Sequence, residues 1–293
     1  MRWLSKALTT RDGRLSWLPR GVVLLMAVSA LNVVAGFLRE AVIANHLGTS
    51  AQLEAFVVAH TVPQVLANQI ARISVAVLLP LYIGYVQSNK MDHASELWRR
   101  WCRLVAVVFL GLCFLLGVGA TPLIAFLGPG LSPEGSAAAV GYLRLLLPYV
   151  YLMALASSYR VILDAYRRFA SFAVARTVIS CCVIGACFLL ASRLGVSSLA
   201  IGHVLGGASV IVVVWLRTRQ FRPKRGATGS RPDVTLPIAA AAIMLADSVA
   251  QQVSVIIDRG FASTLPEGSV AALNYAHTIN AIPAAVVSTA VAT

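Results

Sequence analysis

The chain has 293 residues, of which 58% are hydrophobic and 12% charged, with a formal net charge of +13. A soluble domain carries about 25% charged residues, so this composition excludes a soluble enzyme or binding module and indicates an integral membrane protein. The basic residues alternate by connection instead of forming one patch, which argues against nucleic acid and for anionic inner-leaflet lipids as their partner.

Apolar runs of roughly 20 residues, enough to cross about 30 Å of hydrocarbon, recur along the chain, and about eight such helices are expected. Arg2, Lys6, Arg11, Arg14 and Arg20 precede the first run; Lys90, Arg99, Arg100 and Arg103 lie between the second and third. Arg160, Arg167, Arg168 and Arg176 surround the fourth-to-fifth connection, and six further basic residues between Arg217 and Arg231 fill the sixth-to-seventh. The intervening connections hold only Arg193. By the positive-inside rule the N-terminus is cytoplasmic. The basic start and the apolar run from Val22 resemble a signal peptide, but the later spans favour an uncleaved first helix.

Residues 1–20, with Trp3 and Trp17, suit an interfacial segment on the inner leaflet. Helix 1 is expected from about Gly21 to His46. Arg39 lies about 18 residues in, roughly 27 Å along the axis. Two readings stand: Arg39 snorkels to outer head groups with Glu40 solvated beside it, or both face a water-filled cavity. Neighbours at i and i+1 diverge by about 100° on a helix, so Glu54 or Asp258 is the expected partner of Arg39.

Helix 2, about Gln52 to Gln87, is too long for one straight span and contains Pro63 and Pro80, each expected to promote a bend. Gln64, Asn68 and Arg72 recur every four residues, so a polar stripe runs down one face. It serves either interhelical hydrogen bonding or a substrate-facing wall. Helices 3 (about Trp101 to Phe126) and 4 (about Ala137 to Ala165) flank the turn-rich segment from Gly128 to Pro133. Arg160 and Asp164, four apart, form a local ion pair. Helices 5 (about Phe172 to Leu190) and 6 (about Ser198 to Trp215) are packing elements, with Gly202 and Gly206 as a small-xxx-small contact and His203 a satisfied polar residue beside them. The five cysteines lack metal-ligand spacing and read as small packing residues.

Residues 217–234 form a basic cytoplasmic linker, the boundary between a lobe at 1–216 and a second unit at 235–293. Helix 7 follows from about Pro237. Asp247 lies about ten residues on, near the bilayer midplane at about 15 Å, and is the candidate for a coupling ion, Na or H, or for a structural ion pair. Asp258 and Arg259 close helix 7, and Leu265-Pro266-Glu267-Gly268 turns into helix 8 with Asn274, His277 and Asn280.

An offset of 220 sets Arg39 over Arg259, Gly48 over Gly268, Leu53 over Leu273 and Pro63 over Pro283. The chain therefore begins the same structure twice. Six helices separate the copies, so the repeats are parallel and related by an axis along the membrane normal, a transporter architecture with the substrate between lobes. The expected fold is an all-α polytopic membrane protein: one six-helix lobe and the first two helices of a second, with Thr293 falling inside a helix.

Gly36-Phe37-Leu38-Arg39-Glu40-Ala41, then Glu54-Ala55-Phe56-Val57-Val58-Ala59 and Pro63, resemble the start of the MviN/MurJ family. Asp258-Arg259-Gly260-Phe261-Ala262-Ser263, Glu267-Gly268-Ser269-Val270 and Leu273-Asn274-Tyr275-Ala276 resemble its seventh and eighth helices. The resemblance implies a bacterial inner-membrane flippase of the multidrug/oligosaccharidyl-lipid/polysaccharide exporter superfamily, fourteen helices in all, that moves lipid II outward. It also implies a V-shaped cavity whose arginines clamp a pyrophosphate, with alternating access driven by membrane potential or an ion gradient. Arginine suits that task because its fixed fork binds phosphate oxygens in pairs.

Arg39, Glu40 and Glu54 take over family cavity positions; Asn68, Arg72, Asp258, Arg259 and His277 complete the candidate substrate site. The family commonly has basic residues where Asn32 and Val33, Ala67 and Asn68, and His277 and Thr278 stand here, which makes another undecaprenyl-pyrophosphate-linked glycan an alternative substrate. A second chain completing the second lobe is a further expected partner. The other classes are an ion-coupled exporter of small amphipathic molecules, and a non-transporting remnant or assembly partner. No hydrolytic or phosphate-loop motif is present, and no cofactor is expected.

Overall fold

The computed structural model describes residues 20–168, 170–221, 236, 238–266 and 268–277. The interfacial segment 1–19, the linker 222–235, Glu267 and residues 278–293, with Thr278, Asn280 and Pro283, lie outside them, as do the side chains of Asp247 and Arg259. The described residues are almost wholly helical, without a strand.

Helix α1 spans Arg20–Leu47 and α2 spans Ala51–Gln87. They are joined by a turn in which Gly48 adopts φ 61°, a left-handed conformation that glycine takes without steric cost. Ser50 caps α2 by accepting the Leu53 N–H at 3.4 Å. Pro63 sits inside an unbroken helical stretch. The irregularity falls later, as a π-helical turn at Ser74–Leu78 just before Pro80, whose missing N–H cannot hold the regular ladder.

Helix α3 spans Met91–Val118, and a short helix Ala120–Leu127 follows. The sequence places the start of this element about ten residues later, at Trp101. Its first turns are charged, but those charges are satisfied locally. Glu96 is buried and takes Arg99 at 3.4 Å, Arg100 at 3.0 Å and Arg103 at 3.6 Å, and helical spacing brings them together. Trp98 anchors the same turn by donating to the Ser158 carbonyl at 2.9 Å.

Helix α4 spans Pro133–Ala165, capped by Ser132, and is the central element, packed against α2, α3 and the later α6. Helix α5 spans Ala175–Leu194 and α6 spans Ser197–Thr218. Their close contact is set by glycine: a Cβ on Gly202 would lie 2.7 Å from Val183 Cα, and one on Gly206 2.9 Å from Ile179 Cα. In lipid, where association rests on van der Waals packing, such close approach holds helices together. Arg160 and Asp164 pair at 2.8 Å as their spacing predicts.

Six of these helices are long and apolar enough to cross a membrane. Side chains such as Val107, Leu110, Phe114 and Leu189 are more than three-fifths exposed, as suits surfaces wetted by hydrocarbon rather than water. Helix α7, Ile238–Ala262, packs on α2 and on the short helix Ala120–Leu127. The helix at 269–277, α8, begins after Gly268 at φ 98°. Gly48 and Gly268 both take positive φ, but Gly48 directly follows α1 and Gly268 directly precedes α8, so the two connections are built differently.

A candidate substrate cavity between the lobes

The connections α1–α2, α3–α4, α5–α6 and α7–α8 lie at one end of the bundle, the end poor in basic residues. There the second unit is fastened to the first. Glu54, on α2 and 8% exposed, accepts the Val270 N–H at 2.8 Å. That N–H belongs to the first turn of α8, which has no intrahelical acceptor, and the positive end of a helix dipole favours a carboxylate there. Tyr275 donates its hydroxyl to the Gly48 carbonyl at 3.1 Å. The Gly130 N–H donates to Ser263 Oγ at 3.2 Å, and a Cβ on Gly130 would run into the Ser263 backbone. Gly268 faces the Thr49 side chain less tightly, with 3.3 Å left for a Cβ.

Beneath this seam lies a cavity of about 80 Å³. Arg39, Glu40 and Ile43 of α1, Phe56, His60 and Gln64 of α2, His203 of α6, and Asn274 and Tyr275 of α8 contribute to its wall. The structure thus places Arg39 on the wall of a cavity, with Glu40 beside it. Its partner differs from expectation. The Arg39 guanidinium donates to Glu40 Oε1 from Nη2 at 2.7 Å and from Nε at 3.2 Å. Although adjacent positions diverge on a helix, two long side chains can curl toward one another, and Glu54, already bound to Val270, is no longer free for Arg39. Glu40 Oε2 accepts a long hydrogen bond from Asn274 at 3.5 Å, so α8 holds the carboxylate in place.

The opposite wall is aromatic. The His60 and His203 rings meet at 4.4 Å between centroids. Phe56 stacks on His60 at 5.5 Å, and Tyr149 of α4 stands edge-on to His203 at 5.6 Å. His203 is buried and holds the Leu199 carbonyl through Nδ1 at 2.8 Å, consistent with the satisfied role expected for it. The sequence pointed to neither His60 nor this pairing, because the two rings come from helices far apart in the chain.

Gln64 carries the polar stripe from the cavity wall; Asn68 and Arg72 continue it one and two turns on, exposed and outside the lining. Asp258 and His277 are exposed and also outside the lining. Asn32 is engaged elsewhere: its amide donates to the Ala173 carbonyl at 2.8 Å and accepts from Thr177 Oγ1 at 2.7 Å. One amide thus links α1 both to Ala173 and to Thr177 of α5. No group of three or more metal-ligating side chains occurs among the described residues.

The family model for lipid II flippase MurJ matches residues 43–293. The chain is 27% identical over 286 residues to the lipid II flippase MurJ of Burkholderia cenocepacia, covering 94% of this chain and 55% of that protein. It is 27% identical over 274 residues to a probable lipid II flippase MurJ of Rhizobium meliloti, covering 88% and 50%. The chain thus spans about half the length of the curated relatives it matches. Among solved structures, a lipid II flippase MurJ in an inward closed conformation superposes with a TM-score of 0.73 at 20% identity, covering 89% of this chain and 55% of the other. A MOP superfamily transporter from Pyrococcus furiosus gives 0.66 at 14% identity, over 92% and 61%. These two likenesses establish the shared fold. Because the family model covers well over half of the sequence, the chain belongs to the lipid II flippase MurJ family.

Proposed function

We propose that the chain forms the first lobe and the start of the second in a flippase that moves an undecaprenyl-pyrophosphate-linked glycan, lipid II or a related precursor, outward across the bacterial cytoplasmic membrane. The observation that carries this reading, beside family membership, is Arg39 in a cavity between the two repeats, sealed at one end by the Glu54–Val270 seam. With the basic connections and N-terminus in the cytoplasm, the sealed end faces outward, so the conformation is one that receives substrate from inside. Anionic inner-leaflet lipids hold the basic connections.

Arg39 would exchange part of its bond to Glu40 for the pyrophosphate oxygens, with Gln64 and Asn274 as neutral donors. Asn68 and Arg72 continue the polar wall toward the cytoplasmic side, and Asp258, Arg259 and His277 join it as the lobes rearrange. Membrane potential or an ion at Asp247 would drive the return. The remaining helices of the second lobe come from further residues or from a second chain.

The resemblance places basic residues where Asn32 and Val33, Ala67 and Asn68, and His277 and Thr278 stand here, which favours the broader substrate class over lipid II alone, and Asn32 is engaged instead with Ala173 and Thr177. The test is export in cells whose own flippase is depleted, read as the amount of labelled glycolipid that an impermeant glycan-cleaving enzyme reaches from outside. The proposal expects exposure of at least one undecaprenyl-pyrophosphate glycan above the depleted background. Background exposure for every such glycan, with the protein present in the membrane, overturns it.

A further inference from the structure

The cavity's fixed charges do not add up to an anion site. Among the described lining residues the ionised groups are Arg39 and Glu40, and at 2.7 Å they neutralise one another. Glu54 stands nearby, held by Val270. A pyrophosphate diester carries about two negative charges, and bringing them into a largely desolvated space without added positive charge is costly. The missing charge has one well-placed source. A carbonyl oxygen only accepts, so the 2.8 Å contact from His203 Nδ1 to the Leu199 carbonyl puts a hydrogen on Nδ1, and whenever the ring is neutral its lone pair is therefore on Nε2. His203 is buried on the cavity wall and touches His60.

We propose that the His60–His203 pair takes up one proton when the anionic head group binds, so that proton and pyrophosphate enter the cavity together. This rests on the flippase reading above. The proton is taken up from the bulk solution, leaving its hydronium or buffer-acid carrier as water or conjugate base there, and bonds to the lone pair of His203 Nε2 or of a His60 ring nitrogen. The resulting imidazolium offers a donor and a positive charge beside Arg39. One proton is the limit, because two imidazoliums at 4.4 Å would repel each other as well as Arg39.

The surroundings are consistent with a ring that is neutral when the cavity is empty and charged when it is filled. From α1 come Arg39 and Glu40, which line the same cavity. From α2 come Glu54 and His60. From α4, Tyr142 and Tyr149 stand against Phe56 and His203. Arg176 of α5 lies within electrostatic range of Tyr149, and Tyr275 approaches from α8. An incoming dianion reverses the local balance and favours the proton. By linkage, proton and anion strengthen each other's binding by the same factor.

The experiment uses the full chain in lipid nanodiscs, with a short P1,P2-dialkyl pyrophosphate as probe, because that diester has no proton of its own to exchange near neutral pH. Nitrogen NMR on labelled histidine reports tautomer and charge for each of the five imidazoles. Expected without probe is a neutral His203 with its hydrogen on Nδ1; expected with saturating probe at the same pH is an imidazolium at His203 or His60. Probe affinity should fall by up to about tenfold per pH unit as the pH rises, the limit for one linked proton. In the variants His203→Gln and His60→Gln that pH dependence should flatten.

If the probe binds while both rings stay neutral, or binds equally at every pH, proton uptake is overturned and the flippase reading stands. If the probe fails to bind at any pH, both fall. The wild-type NMR readout decides the matter even where a variant does not fold.

Discussion

Glu54 on α2 and Val270 at the start of α8 are joined by a 2.8 Å hydrogen bond, which ties these two helices together at the end of the bundle poor in basic residues. A carboxylate at a helix N-terminus satisfies an orphan N–H and complements the helix dipole. The bond therefore stabilises the state in which this end is shut. Replacing Glu54→Ala should cost about 1–2 kcal/mol, seen as a lower Tm, and should increase labelling of a cysteine at Gln64 by an impermeant maleimide added from outside, in a background without native cysteines. Glu54→Gln, which keeps an oxygen acceptor, should fall between the two. A Glu54→Ala protein with wild-type labelling would show that the seam does not set the shut state.

Helix–helix approach gives a second prediction. A side chain at Gly206 has nowhere to go because Ile179 Cα lies 2.9 Å from the Cβ position. Gly206→Val should destabilise by about 1–3 kcal/mol through overpacking. Gly36→Ala, with nothing within 4 Å of its Cβ, should leave Tm unchanged or raise it, since alanine is the better helix former. Thermal unfolding in one detergent compares the two directly.

Asn32 supplies the third. Its amide makes two part-buried hydrogen bonds, to Ala173 and to Thr177 of α5, so Asn32→Ala should cost about 1 kcal/mol. Asn32→Arg restores the charge common in relatives but loses the same two bonds. It should be destabilised to a similar degree and gain no export. Improved export from Asn32→Arg would show that the cavity reaches this position.

How far the sequence carried these conclusions differs by kind of residue. Six of the expected spans, the Arg160–Asp164 pair and the Gly202/Gly206 contact were legible because each depends on local spacing or on the absence of a side chain. The offset of 220 found two turns that share a left-handed glycine, at φ 61° and φ 98°. Partners across helices were not legible. Periodicity tells which face a residue occupies but not the rotation of the facing helix, so Arg39 was given to Glu54 or Asp258 when its partner is Glu40. The start of α3 was missed for a related reason, because charge read as loop was neutralised within its own helix around Glu96. The His60–His203 contact left no sequence signal, since it joins α2 to α6 only in the packed bundle.

The central claim is that Arg39 grips the transported head group. It is tested most directly by measuring outward exposure of labelled undecaprenyl-pyrophosphate glycan in cells that depend on this protein, comparing wild type, Arg39→Lys and Arg39→Ala at matched membrane abundance. Arg39→Ala should abolish export, and Arg39→Lys should retain a small fraction, because lysine keeps the charge but not the two-pronged geometry. Undiminished export from Arg39→Ala would contradict the assignment of this cavity as the substrate site.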